Sequence, residues 1–122
     1  MIKITIPYLP PSLNKWSRMH WAEARQIKKQ WEHDIYYESY KYYELRDKAI
    51  YPLTKAKVRI KFYFKDKRIR DKDNYTPKFI LDALVKAGIL QDDNADAIGQ
   101  TEIIFGFDKT DPRTEIEVWR CN

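Results

Sequence analysis

Two aspartates in the stretch RDKDNY, Asp71 and Asp73, have the spacing of a paired carboxylate site. In an extended chain their side chains project from the same face, with Cα atoms roughly 6–7 Å apart. Carboxylates at that separation can share a hard cation, and Mg²⁺ or Mn²⁺ suits oxygen ligands of this kind. A third acid must come from elsewhere, and Asp92 and Asp93 lie beyond the next predicted helix. The alternative interpretation is a helix cap at Asp73 and a solvated turn at the later pair.

The acidic pair directly follows the most basic part of the chain, which carries a net charge of +5 overall. Residues 55–70 contain eight cations and one acid, whereas residues 71–96 contain six acids and three cations. Clustered positive charge attracts polyanions, and a bound divalent ion would let the acids attract phosphate as well. Charge alone is equally consistent with a nucleic-acid partner and with a solvated basic face that has no partner.

Other kinds of site find little support in the sequence. The single cysteine, Cys121, builds neither a disulfide framework nor a cysteine zinc site, and this favours a reducing cytoplasm. An EF-hand loop would need glycine where Thr76 stands. His20 and His33 are isolated, so surface or packing roles are expected for them. Three glycines in total leave no glycine-rich phosphate loop, and no membrane span or signal peptide is expected.

The pattern of apolar residues predicts one domain, residues 1–122, of the α+β class, with a small mixed β-sheet packed against two main helices. The clearest strand is 55–64, where alternate apolar residues would face the core and cations would face outward. The predicted order is a strand at 2–6, an ordered loop without helix at 9–16, a helix from Trp21 to about Arg46, the strand 55–64, a helix from Asp73 or Asn74 to Gly88, a loop at 89–96, and two closing strands around 103–107 and 116–118.

A longer pattern surrounds the aspartates. The run RIRDKDNYTPKFILDALVKAGILQDD, residues 68–93, closely resembles the RusA family of crossover junction endodeoxyribonucleases. The matching features are the basic lead-in, Asp-x-Asp-Asn, a lysine at the helix start, Leu-Asp-Ala-Leu, a glycine and the Asp-Asp pair. The stretch PPSLN, residues 10–14, resembles the N-terminal signature of the same family, so the resemblance spans most of the chain.

The resemblance implies a Mg²⁺-dependent endonuclease, with Mn²⁺ as a substitute ion. Such enzymes resolve four-way (Holliday) DNA junctions by paired symmetric nicking in recombination and repair, leaving 5′-phosphate and 3′-hydroxyl ends. They are small cytoplasmic homodimers of bacteria, often encoded by prophages. By resemblance, Asp71, Asp73 and Asp93 take the places of the metal-binding acids, with Asp92 as the alternative to Asp93. Lys78 takes the place of the essential catalytic lysine.

The basic residues near these acids are the expected contacts to the DNA backbone. They are Lys57, Arg59, Lys61, Lys67, Arg68, Arg70 and Lys72, with Lys15, Arg18 and Arg25 near the PPSLN stretch. Paired cuts on a two-fold symmetric junction favour a C2 homodimer, for which Trp31, Tyr36 and Tyr43 are interface candidates. The alternatives are a metal-dependent nuclease for other branched DNA or RNA, a catalytically inactive prophage DNA-binding protein, and an interaction protein that uses the tyrosine-rich helix.

Overall fold

The computed structural model describes residues 1–121, in which a four-stranded sheet carries helices on one face. In chain order the elements are β1 (Ile2–Ile6), α1 (Leu13–Arg18), α2 (Trp21–Ser39), β2 (Ala56–Phe64), α3 (Lys78–Lys86), α4 (Ala95–Ile98), β3 (Glu102–Phe107) and β4 (Arg113–Arg120), with short 3₁₀ turns at Tyr43–Arg46 and Lys72–Asn74. Over residues 1–121, no helix combines the length and apolar composition that crossing a bilayer requires.

The sheet is mixed, with the strand order β1-β4-β2-β3. Strand β4 is antiparallel to both of its neighbours, so that Ile116 lies opposite Ile4 on one side and Ile60 on the other. Strand β3 runs parallel to β2, and Ile103 pairs with Ile60. A parallel pair needs a crossover, which α3 and α4 supply in the chain between these strands. The predicted α+β class with a mixed sheet is therefore confirmed.

Strand β2 explains why the helices pack where they do. Its alternate residues Val58, Ile60 and Phe62 are fully buried, as the apolar alternation of 55–64 predicts. Helix α2 presents Trp31 and Ile35 to the same core, and α3 contributes its own buried apolar stripe. Helix α3 therefore packs against α2, and its buried side chains share one core with those of β2.

Several helices differ from the prediction. Helix α4 begins at Ala95, inside the predicted loop 89–96, because the Asn94 side chain caps it by accepting a hydrogen bond from Ala97 N at 2.9 Å. The stretch 9–16 was predicted to contain no helix, yet α1 begins at Leu13, where the Ser12 hydroxyl accepts a hydrogen bond from Lys15 N at 3.3 Å. The prolines precede this cap and so do not oppose the helix. Helix α2 ends at Ser39, because the Tyr42 hydroxyl bonds to the backbone of Lys3 and draws the following chain toward β1.

Trp31 was predicted as a candidate for a dimer interface, and this assignment is wrong. The side chain is only 1% exposed. Its ring makes edge contacts with Tyr8 and Phe79, at centroid distances of 5.0 and 5.3 Å. Tyr8 lies in the segment that follows β1, and Phe79 lies on α3. Trp31 therefore connects α2 to both and belongs to the core. Tyr36 and Tyr43 remain exposed, at 48% and 76%.

Replacing Trp31 with alanine is expected to lower the free energy of unfolding by about 3–5 kcal/mol, because the cavity would lie in the centre of the core. Urea denaturation followed by circular dichroism measures this. The control is Tyr37→Ala on the same helix, whose side chain is 66% exposed; its effect should stay within about 0.5 kcal/mol. If Trp31→Ala left the free energy of unfolding unchanged but altered the oligomeric state, Trp31 would be an interface residue.

Candidate functional site

Asp71 and Asp73 lie in a capped turn just before α3. The Asp71 carboxylate accepts a hydrogen bond from Asp73 N at 3.0 Å and caps the 3₁₀ turn Lys72–Asn74. The extended geometry predicted for this pair is therefore wrong, since an aspartate readily bonds to the backbone two residues on. Helix α3 consequently starts only at Lys78, after Pro77, and not at residue 73 or 74. The turn leaves the Asp73 side chain exposed.

The PPSLN stretch is in direct contact with this turn. Asn74 accepts a hydrogen bond from Asn14 N on its Oδ1 at 3.1 Å. The contact joins residues sixty positions apart and brings together the two segments on which the family resemblance rests. Nothing in the local sequence pattern singles out Asn14, because its part in the contact is played by the backbone.

Lys78 stands at the N-terminal end of α3 and is held between two carboxylates. Its Nζ lies 2.9 Å from Asp93 Oδ2 and 3.1 Å from Asp82 Oδ1. The hydrogen bond to Asp93, together with that to Asp82, raises the pKa of Lys78. Conversely, the Lys78 ammonium lowers the pKa of Asp93, although partial burial opposes that effect. Both groups are therefore charged at neutral pH.

Asp82 was not among the residues predicted for the site. It lies one helical turn after Lys78, and such i,i+4 pairs face each other on a helix surface. The spacing was visible in the sequence, but so were several other lysine–acid pairs at three or four positions. Only the fold distinguishes this pair, because α3 places it opposite Asp93.

The two adjacent acids after α3 have different roles. The Asp92 side chain bonds to the backbone of its own loop, where its Oδ1 accepts a hydrogen bond from Asp93 N at 2.7 Å. Asp93 instead points toward Lys78. Of the two alternatives for a third metal-binding acid, only Asp93 contacts Lys78, and the choice between them stays a prediction. Both acids line an open groove of about 370 Å³, together with Lys28, Glu32, Phe79, Asp82, Val85 and Lys86.

The three predicted metal-binding acids are arranged as a pair and a single group. Asp71 and Asp73 share one turn, whereas Asp93 is engaged by Lys78. In the part of the chain that the structure describes, no three acidic, histidine or cysteine side chains form an assembled metal centre. The donors nevertheless fit Mg²⁺ chemically, since all are carboxylate oxygens, and the Lys78 ammonium shows that a cation is favoured beside Asp93. A shared ion would require Lys78 to leave Asp93.

The predicted DNA contacts on β2 are partly neutralised by neighbouring strands. Arg59 lies 3.0 Å from Glu102 on β3 and 3.8 Å from Glu117 on β4, and Lys61 lies 3.3 Å from the same Glu117 oxygen. That oxygen has no well-aligned hydrogen bond, so its stabilisation is ionic. Because DNA would compete with these acids, Arg59 and Lys61 are expected to contribute less than unpaired cations.

The other predicted DNA contacts also differ in whether a neighbouring acid neutralises them. Arg70 bonds to Asp66 at 2.7 Å, and its guanidinium lies 4.0 Å from the Phe64 ring centre. The remaining predicted contacts are exposed and form no ion pair within residues 1–121. They are Lys57, Lys67, Arg68, Lys72, Lys15, Arg18 and Arg25. These residues are the better candidates for phosphate contacts.

A cavity larger than the groove beside α3 lies elsewhere. It measures about 660 Å³ and is lined by residues 48–55, Gln91, Arg120 and Cys121. It contains none of the predicted site residues, and its size alone assigns it no chemistry. The groove beside α3, although smaller, holds the charged groups on which a reaction would depend.

Comparison with known proteins adds no assignment: no protein-family model matches this chain, and no curated protein matches it significantly. The function proposed below therefore rests on the residues, their contacts and the sequence resemblance described above.

Proposed function

We propose that this protein is a Mg²⁺-dependent endonuclease that cuts four-way DNA junctions by paired symmetric nicking. The observation that supports the proposal most is the contact between Lys78 and Asp93, which joins the two ends of the sequence pattern at the start of α3. The Asn14–Asn74 hydrogen bond brings PPSLN, the other segment of the sequence resemblance, into contact with the turn before α3. A purely structural role for these residues would not require all three segments to meet.

The residues have distinct roles in the proposed hydrolysis. Asp71, Asp73 and Asp93 would hold Mg²⁺, which when bound supplies positive charge to the phosphate and makes water a better nucleophile. Water adds to phosphorus as the bond to the 3′ oxygen breaks, and the products carry a 5′-phosphate and a 3′-hydroxyl. Lys78 would stabilise the negative charge that develops on the phosphate oxygens.

The exposed cations before and around the acidic turn would hold the DNA backbone. Lys67 and Lys72 flank Asp71 in sequence and are both exposed. Each phosphate that a lysine neutralises releases counterions, so binding by these residues should depend strongly on salt. Contacts of this kind are independent of base sequence, which suits a protein that selects its substrate by shape.

A homodimer completes the proposal, because two matched nicks on a two-fold symmetric junction require two sites related by the same symmetry. The exposed tyrosines of α2 and of the segment that follows it are candidates for the contact between protomers. Tyr36 and Tyr40 stack edge to face at 5.0 Å, and Tyr43 lies under the Arg46 guanidinium at 4.6 Å.

Cleavage of defined substrates tests the function directly. A labelled four-way junction, a duplex and a single strand are each incubated with the protein, with and without Mg²⁺. The proposal expects symmetric nicks in the junction alone, and only with Mg²⁺. Cutting of the duplex or the single strand in preference to the junction would favour a nuclease that acts on other substrates. Junction binding without any cut would indicate a catalytically inactive DNA-binding protein.

Replacing Lys67 and Lys72 together with alanine is expected to weaken junction binding and to reduce the slope of log K against log salt by about 2, at about 0.9 per lost phosphate contact. Fluorescence anisotropy at several salt concentrations measures the slope. Lys61→Ala provides the comparison and should change the slope less, because Lys61 is already paired with Glu117. Identical slopes for the double variant and the unmodified protein would remove this segment from the DNA interface.

A further inference from the structure

The ammonium of Lys78 has two acidic partners that are held in different ways. Asp82 lies on the same helix, so the backbone of α3 fixes its position relative to Lys78. Asp93 lies in the turn after the helix, and reaches Lys78 across fifteen residues. The two oxygen–nitrogen distances, 3.1 and 2.9 Å, are nearly equal. Lys78 is thus shared between a helical partner and a loop partner.

This sharing matters when Asp93 binds a divalent ion. An ammonium and a metal ion repel each other, so Lys78 would have to leave Asp93 if Asp93 held such an ion. A lysine without a second partner would then extend into solvent along its flexible side chain. Asp82 is the one carboxylate that already touches Lys78 apart from Asp93 within residues 1–121. It can therefore keep the ammonium at the start of α3.

Other charged groups in the groove do not replace Asp82 in this role. Glu32 is engaged by Lys86 at 2.7 Å, and Asp92 accepts a hydrogen bond from the backbone N–H of Asp93. Lys28, which lies in the same groove, faces the Trp16 ring at 5.8 Å and has no acidic partner in the described part of the chain. Asp82 is therefore left to Lys78, with a side chain that is 47% exposed and able to follow a small movement of the lysine.

We propose that Asp82 is a positioning residue for Lys78, which it retains beside the scissile phosphate when a divalent ion takes Asp93. This inference rests on the proposed nuclease function and adds a residue to it. Without Asp82, Lys78 would have only Asp93 as a partner. The Lys78 ammonium would then compete more strongly with the metal ion for Asp93, and it would be less well positioned once displaced.

The test uses Asp82→Asn, which keeps the shape of the side chain and removes its charge. The rate of single-turnover junction cleavage should fall about 10–100-fold, the range typical of residues that orient the groups around a metal. Junction affinity measured in Ca²⁺ should not change. Asp82→Glu should recover most of the rate, because a longer carboxylate at the same position can still reach the ammonium.

A second readout does not depend on cleavage. Mn²⁺ binding to the DNA-free protein, followed by electron paramagnetic resonance, should weaken about tenfold in Asp82→Asn. Glu32→Gln removes the same charge from the same groove and should leave Mn²⁺ binding nearly unchanged, since Glu32 is paired with Lys86. In a Lys78→Met background, Asp82→Asn should have no further effect on either readout.

Two results would overturn the inference. One is an Asp82→Asn variant that cleaves and binds Mn²⁺ like the unmodified protein. The other is an equal additional loss in the Lys78→Met background, which would make Asp82 a direct ligand and not a partner of Lys78. An unmodified protein that does not cut junctions would refute the proposed function itself, whereas the Mn²⁺ measurements would still decide whether Asp82 acts through Lys78.

Discussion

Asp73→Asn is expected to abolish junction cleavage, with a rate loss of at least about a hundredfold, since even residues that only support metal ligands are worth about 10–100-fold. The Asp73 side chain forms no hydrogen bond or ion pair within residues 1–121, and only its backbone N–H is engaged, by Asp71. The substitution therefore removes one charge of the proposed metal site without disturbing the turn. Junction binding should be retained or tighter, because one charge that repels phosphate is gone.

Single-turnover cleavage and anisotropy with the same labelled junction measure both quantities. Asp96→Asn is the matched control, because Asp96 is also an exposed aspartate in a short helical segment but is not expected to bind metal. Its rate should match that of the unmodified protein. Normal cleavage by Asp73→Asn would show that the metal site has been assigned to the wrong residues.

Lys78→Met is expected to reduce cleavage about 10²–10³-fold, the usual cost of losing one group that stabilises a charged transition state. The side chain is 68% exposed, so the fold should be unaffected. The same variant should bind Mn²⁺ more tightly, because the ammonium no longer competes for Asp93. A simultaneous gain in metal affinity and loss of rate is hard to produce by general damage to the protein.

Lys41→Met is the control for this change. Lys41 is equally exposed, at 69%, and pairs with Glu38 on the far part of α2. Neither its rate nor its Mn²⁺ affinity should move. If Lys78→Met cleaves the junction at the rate of the unmodified protein, the lysine has only a structural pairing with Asp93. The role inferred from the family resemblance then does not apply.

The parts of the fold that the sequence predicts well are those set by local apolar periodicity. Strand β2 differs by one residue from the predicted 55–64, and the end of α3 falls where Gly88 adopts a positive φ of 79°. In both cases neighbouring residues alone decide the outcome. The mixed character of the sheet follows from the same elements, because a helix between β2 and the next strand permits a parallel crossover.

The errors arise where contacts between distant residues decide the structure. The Tyr42 hydroxyl reaches Lys3 on β1 and draws the chain away from the axis of α2. Tryptophan is a residue type common at interfaces, and only the packing of Tyr8 and Phe79 around Trp31 shows that it is in the core. Periodicity places Trp31 on the apolar side of α2 with Ile35, but it does not distinguish the core from an interface, and it does not reveal the contact between Tyr42 and Lys3.

The candidate site shows the same division. The sequence identifies Asp71, Asp73, Asp93 and Lys78 as a pattern, but it cannot show that Lys78 is shared with Asp82. Nor does it show which cations are neutralised, since Glu117 pairs with β2 only after the strands have been assembled. Ion pairing across a sheet depends on register, which several alternative alignments of the same strands would change.

The proposed site requires acids from both sides of α3 to gather around one divalent ion. Anomalous diffraction at the manganese edge, from crystals of the protein grown with junction DNA and Mn²⁺, tests this. We expect a peak about 2.0–2.2 Å from carboxylate oxygens of both the Asp71–Asp73 turn and Asp93, close to the distances usual for hard divalent ions of this size, with Lys78 displaced toward Asp82. A manganese ion bound away from these residues, or Lys78 still bonded to Asp93 beside intact DNA, would contradict it.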